Sequence, residues 1–405
     1  RPASRRFLSL ASLVALLTSL GAELRVNAGS WSGAAEVFTV GSIEDRVLWT
    51  LRPSLMFKGD FSLAKSSRWS IAGEGRVRYD QQLQFQRSRS HWDARLDRAV
   101  VNWQGETSSV SVGFQKFTWG DFGFLDGVDQ VNPRDLSEPV YGDDELRKLA
   151  LPSLSFQSLA DNRVFQIVWA ARTEGTPLPE ESDGLRIERD GTFHSQPPFE
   201  FAVKAGGLLK SGWDLNGYLL SHLERSPQGV VKTAQQGARL AVFEPRVFTL
   251  GLTGTQSIDD FVFRTEVAFH SNRALPSVVQ NVEVVADQAV LNLNSDVTLG
   301  SDFLLSGQLH VEKWLTSSRS DFKSNNSLVG LGMQKPFWDR NVETNVSLFL
   351  SPDGTESLLS GQLTLKVLDA GEFSLAVYEA QTSTGRALRR RGLQDLVVSH
   401  FKYLF

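Results

Sequence analysis

The sequence has no cysteine. That removes thiolate metal sites, disulfide staples and thiol nucleophiles together. Histidine is scarce as well. The six sit at His91, His194, His222, His270, His310 and His400, and no two share metal-ligand spacing. Positive charge is in short supply, with a net charge of −4 and one basic run, "RALRRR" at 386–391. A nucleic-acid partner would need a broad basic face, so none is expected. No G-x-S-x-G, H-E-x-x-H, phosphate-loop or dinucleotide pattern occurs. His270 and Ser271 are neighbours, which puts them on opposite faces of a strand and argues against a hydrolytic dyad. Asp143-Asp144 suits a hard cation, but acidity alone makes no site. No enzyme activity, cofactor or metal is expected.

Long apolar runs are missing too, except at the start. "RPASRRFLSLASLVALLTSLGAELRVNA" has Arg1, Arg5 and Arg6, then an apolar run from Phe7 to Leu20, then small residues. This is the layout of a secretory signal peptide over 1–28, with cleavage after Ala28 or, alternatively, after Ala22. Beyond it no stretch approaches the ~20 apolar residues that a membrane-spanning helix needs. Hydrophobic residues are 41% and charged residues 22%, which does not describe a bundle of membrane helices. Residues 29–405 are therefore exported, either soluble or embedded as a barrel, since helices and closed barrels are the only spanning forms.

What is present is alternation. "FEFAVKA" sets Phe199, Phe201 and Val203 on one side, with Glu200 and Lys204 on the other. "FVFRTEVAFH" sets Phe261, Phe263, Val267 and Phe269 opposite Arg264, Glu266 and His270. "RWSIAGEGRVRY" and "VLWTLRPSLMF" do the same, with Arg76, Arg78 and Arg52 on their polar faces. Period two is the strand signature. The segments run about 10–13 residues, longer than the ~5–6 usual in soluble sheets and close to the ~9–11 of a tilted membrane strand.

The connections alternate in size. Short ones such as "GETS" (105–108), "ADN" (160–162), "QSIDD" (256–260) and "LGSD" (299–302) are interleaved with long ones at 119–149, 174–197, 223–243 and 272–287. Membrane barrels have short turns at one end and long loops at the other. Counting the segments predicts an all-β fold: a single transmembrane, antiparallel, up-and-down barrel of about 18 strands, with 16 as the alternative, enclosing a wet lumen. Glu74, Glu200, Lys204, Arg264, Glu266, His310 and Glu312 are expected as ordinary lumen-wall charges.

The final stretch, "VVSHFKYLF", places Phe401, Tyr403 and Phe405 on one face. It resembles the C-terminal sorting signal of Gram-negative outer-membrane proteins. The resemblance implies a closing strand read by the barrel-assembly machinery, in an outer membrane of lipid and lipopolysaccharide. Rings on that face would contact lipid and the interface.

The block from 114 to 156 also resembles a motif of porin-like outer-membrane proteins of proteobacteria. The matching residues are Trp119-Gly120, Asn132-Pro133-Arg134-Asp135, Glu145 to Lys148 and Pro152. Alginate-export barrels are a more distant likeness. By position this is the third long-side loop, and by analogy it narrows the lumen. Trp119, Asp121, Asp126, Asp129, Arg134 and Asp135 are the candidate constriction residues. Arg52, Arg76 and Arg78 form a facing basic wall, and charges placed so could select among solutes. The leading expectation is passive diffusion of small polar or anionic solutes. An export or surface-polymer assembly barrel is the alternative, and an outer-membrane hydrolase is less favoured.

Overall fold

The computed structural model describes residues 30–42, 47–62, 68–82, 89–120, 122, 125–135, 147–172, 181–182, 185–189, 197–225, 228–234, 237–274, 279–280, 285–300, 302–315, 325–367, 370–381 and 395–405. The leader at 1–28 and Asp121 lie outside the described residues, as do the loop acids Glu138, Asp143, Asp144 and Glu145.

Eighteen strands make one sheet that closes on itself. In chain order they begin with β1 (Ser30–Ser42), β2 (Val47–Ser62), β3 (Trp69–Gln82), β4 (Arg89–Gln104), β5 (Ser108–Gln115), β6 (Leu151–Ala160) and β7 (Arg163–Ala171). The ring continues with β10 (Phe199–Leu208), β11 (Trp213–Leu223), β14 (Arg246–Ile258), β15 (Phe261–Ala274), β17 (Val285–Leu299) and β18 (Phe303–Trp314). It ends with β19 (Asn325–Phe337), β20 (Val342–Leu350), β21 (Ser357–Val367), β22 (Gly371–Gln381) and β23 (Leu396–Leu404). Each pairs antiparallel with the next, and β1 pairs with β23 from Ala34↔Leu404 to Ser42↔Leu396. The seam continues past the strand end, where Gly33 and Phe405 exchange backbone hydrogen bonds of 2.9 and 3.0 Å. We call that rim the terminal end and the opposite rim the loop end. Closure leaves no strand edge unpaired, which is the condition for a sheet to sit in lipid.

The remaining five strands lie in the loop-end connections: β8 (Glu181–Ser182), β9 (Leu185–Arg189), β12 (Gln228–Ala234), β13 (Gly237–Phe243) and β16 (Val279–Gln280). They form a second sheet in the order β16-β12-β13-β9-β8, joining three separate loops. Nothing in the sequence pattern announces this sheet.

Alternation decides the two faces. On β10, Phe199 and Phe201 are exposed while Glu200 and Ala202 are buried. On β15, Phe261, Phe263, Val267 and Phe269 are exposed while Glu266 and His270 are not. Turn chemistry serves the terminal end: Asp161 and Asn162 both take left-handed backbone, with φ of 50° and 61°. A two-residue hairpin turn of that handedness matches the twist of its strands.

Candidate functional site

The loop between β5 and β6 is built to enter the barrel. Its two arms are stitched at the neck. Asn132 is 1% exposed; its Oδ1 accepts Phe117 N–H at 2.6 Å, and its Nδ2 donates to Gln115 O at 3.1 Å and Leu149 O at 2.7 Å. Leu149 N–H donates to Pro133 O and Asp135 N–H to Arg147 O, both at 2.8 Å. Asp129 is the buried hub. It accepts from Trp119 N–H at 3.2 Å, from Arg134 at 3.1 Å, and from Lys148 Nζ at 2.8 Å. Gly120 is needed at its position, because φ is +94° and an added Cβ would stand 2.1 Å from Asp126 Oδ2. Asp126 Oδ1 in turn accepts the N–H groups of Val128 and Asp129, at 2.9 and 2.8 Å.

Apolar anchors then lay the loop along the inner wall. Phe117, Trp119, Val128 and Val131 cluster with Val168, Ala202, Tyr218, Leu220, Ala268 and Val290, which come from β7, β10, β11, β15 and β17. Val128 is fully buried over Gly251, where a Cβ would come within 2.4 Å of its side chain. Leu125 goes further. It packs in a cluster with Leu328 of β19, Phe349 of β20 and Leu358 of β21, about half-way round the ring from the loop's root.

Polar tethers fix the path. Glu266 accepts Gly127 N–H at 2.6 Å, and Asn292 Nδ2 donates to Leu125 O at 2.9 Å. Trp119 Nε1–H donates to Gln166 at 3.0 Å. Arg225 Nε donates to Gln130 O at 2.9 Å and its Nη2 to Val131 O, while the same guanidinium pairs with Glu200. Arg95 on β4 pairs with Asp135. The Asp126 carboxyl is pushed well above the ordinary carboxylate range by burial, then by the carboxylates of Glu266 and Asp129 beside it.

Trp119, Asp126, Asp129, Arg134 and Asp135 therefore come together inside the barrel. Arg52, Arg76 and Arg78 also face inward, at 7%, 6% and 7% exposure. They do not stand as a bare basic wall opposite an acidic loop. Each holds an aspartate on its own wall: Arg52–Asp80 at 2.8 Å, Arg78–Asp93 at 2.9 Å and Arg76–Asp97 at 3.6 Å. The cause is strand geometry. Asp80 and Asp93 lie on inward faces of neighbouring strands, and Asp97 keeps the inward phase of Asp93 and Arg95 beside Arg76 and Lys116, while a register shift between Glu74 and Gly75 brings Arg98 to the same side. Sequence reasoning missed Arg95, Arg225, Glu266 and Asn292 as loop anchors. Glu266 was legible only as a wall charge.

Two cavities lie along the wall from β21 round to β5. One cavity of about 560 Å³ is lined by Phe38, Lys366, Glu372, Tyr378, His400 and Lys402, among others. A second, of about 460 Å³, is lined by Glu36, Glu74, Asp97, Arg98, Lys116 and again His400 and Lys402. Thr249 lies between His222, at 3.0 Å, and His270, at 2.8 Å, but all three are at most 2% exposed.

No family model and no curated protein sequence matches the chain. Solved structures do. OccAB1 of Acinetobacter baumannii aligns with a TM-score of 0.58 at 9% identity, covering 93% of this chain and 95% of that one. OccK8 (OprE) of Pseudomonas aeruginosa gives 0.58 at 9%, covering 93% and 98%. OmpT of Vibrio cholerae, an outer membrane protein solved in a trimer form, gives 0.50 at 10%, covering 94% and 100%. At such identities the likeness is one of fold. It defines the class as a closed, 18-stranded antiparallel barrel of the outer-membrane type.

Proposed function

We propose that the chain forms a porin-like channel in a Gram-negative outer membrane, passing small polar solutes by passive diffusion. One observation carries this reading. The inward loop packs along one side of the wall as far as β21, and two cavities that share His400 and Lys402 lie along the wall from β21 round to β5. A closed scaffold would fill that space with side chains, as smaller barrels do. The exposed apolar band outside, including Phe201, Leu250, Leu331 and Leu375, suits contact with lipid and lipopolysaccharide. Export by the 1–28 leader and recognition of Phe401, Tyr403 and Phe405 by the assembly machinery belong to the same proposal. Phe401 and Tyr403 support it by lying on the opposite face from the lumen-lining His400 and Lys402.

A strong preference for anions would need unpaired arginines. Since Arg52, Arg76 and Arg78 are each neutralised nearby, we assign polar solutes without a marked bias in sign. The test is conductance of the refolded 29–405 chain in planar bilayers. Stepwise conductance increments are expected, and deletion of 121–148 should enlarge them. Absence of any conductance would overturn the reading, and unchanged conductance after deletion would remove the loop from its narrowing role.

A further inference from the structure

The cavity along β21, β22, β23 and β1 has two unlike faces. Toward the terminal end, the strand registers set four charges on one level. Lys366 pairs across strands with Glu372, Glu372 with Lys402, and Lys402 with Glu36. Their signs alternate round the wall. Lys366, Glu372 and Lys402 line this cavity, and Glu36 lines the neighbouring one. Among the described residues Lys366 and Glu372 form no ion pair. Lys402 Nζ stands 3.5 Å from Glu36 Oε1, and His400 Nε2 stands 3.7 Å from Oε2. A tight charged hydrogen bond is about 2.7–2.9 Å, the range Arg52–Asp80 and Arg78–Asp93 occupy on the neighbouring wall. Toward the loop end the same cavity is lined by Phe38, Ala376, Tyr378 and Val398.

We propose that this cavity is a binding subsite for small zwitterions that carry an apolar side chain; the inference rests on the channel reading above. Cross-strand neighbours stand about 5 Å apart at Cβ, so a carboxylate and an ammonium on one carbon can engage adjacent opposite charges together. The solute's carboxylate meets Lys366 and Lys402, its ammonium meets Glu372 between them, and its side chain rests on Phe38 and Tyr378. A simple anion is a poorer fit, because each lysine it approaches is flanked by a carboxylate. A simple cation meets the converse. Two charged contacts made at once are worth more than either alone, since a single charge-assisted hydrogen bond is enough for about a tenfold preference.

The test compares three solutes of one shape by their block of single-channel current: leucine, 4-methylpentanoate, which lacks the ammonium, and 3-methylbutylamine, which lacks the carboxylate. Leucine is expected to block at a concentration about tenfold or more below either analogue. Lys402→Gln should weaken leucine block while sparing the amine, and Glu372→Gln should weaken it while sparing the acid. A conducting channel in which leucine has no advantage overturns this inference alone. A chain that conducts nothing overturns the channel reading beneath it.

Discussion

Glu266, fully buried on β15, accepts the backbone N–H of Gly127 at 2.6 Å. The same oxygen accepts Asn292 Nδ2 at 2.7 Å, whose amide nitrogen also holds Leu125 O. One wall carboxylate thus organises the tip of the inward loop. Glu266→Leu leaves the N–H of Gly127 and a donor of Asn292 without an acceptor, at roughly 1–3 kcal/mol each. We expect larger single-channel conductance with added open-state noise. Glu266→Gln keeps an oxygen acceptor and should stay near the parent. Identical traces for the leucine variant and the parent would show that the tip is held by other contacts.

Arg225 does two jobs with one guanidinium. It neutralises Glu200 at 2.6 Å and donates to the carbonyls of Gln130 and Val131. Arg225→Ala strands a carboxylate that is only 5% exposed. The expected cost is about 3–5 kcal/mol, most of it from the abandoned charge. Adding Glu200→Gln should recover a large part of that loss. Urea unfolding midpoints of both variants decide the matter; equal midpoints for the single and double variants would mean the charge is not what matters there.

Much of this barrel was readable from period-two alternation. The expected count of about 18 strands is met, and the short connections expected at 105–108, 160–162, 256–260 and 299–302 fall between β4 and β5, β6 and β7, β14 and β15, and β17 and β18. Lipid imposes that pattern residue by residue, so Phe199 and Glu200 declare their faces without help from the rest of the fold. The loop's anchors do not declare themselves. Arg225 and Glu200 are 25 positions apart, and Gly127 and Glu266 are 139 apart; the β10–β11 hairpin brings the first pair together, and the inward fold of the loop the second. Asp97 shows a second limit. It and Arg98 are consecutive yet both line the lumen because of a single register slip, and alternation by itself cannot place a bulge. The partners of Arg52, Arg76 and Arg78 each lie on the neighbouring strand, and alternation gives a residue's face without its partner; the charge balance of the lumen was hidden with them.

Asn132 closes the neck of the loop through three hydrogen bonds, to Phe117, Gln115 and Leu149. Its side chain is almost wholly buried, so the groups it leaves behind have poor access to water. Asn132→Ala should cost on the order of 3 kcal/mol locally without opening the barrel, whose ladder it does not join. The expected readout is proteolytic nicking within 116–150 while the barrel keeps its resistance to unfolding in detergent. Asn132→Asp retains the acceptor for Phe117 N–H and should fall between the two. A loop as resistant as the parent's would sink the assignment of Asn132 as the neck clamp.

Asp126 makes docking of the loop depend on pH. Burial raises its carboxyl well above the ordinary range, with Glu266 and Asp129 adding to the effect. Arg134 and Lys148, in the same loop, are engaged by Asp129. With its affinity for the proton raised in the docked state, the docked loop binds more protons than the released one. Its stability is therefore greatest in acid and declines as pH rises, from about pH 4, where a free aspartate titrates, up through the raised value. Above that point two buried carboxylates repel, and the tip is expected to leave Glu266 more often. Conductance and open-state noise should both increase with pH across this window. Asp126→Asn keeps an oxygen for the Val128 and Asp129 N–H groups but has no proton to lose, so its profile should be flat. A parent profile that is flat, or a loop that loosens in acid instead, would contradict the expected sign.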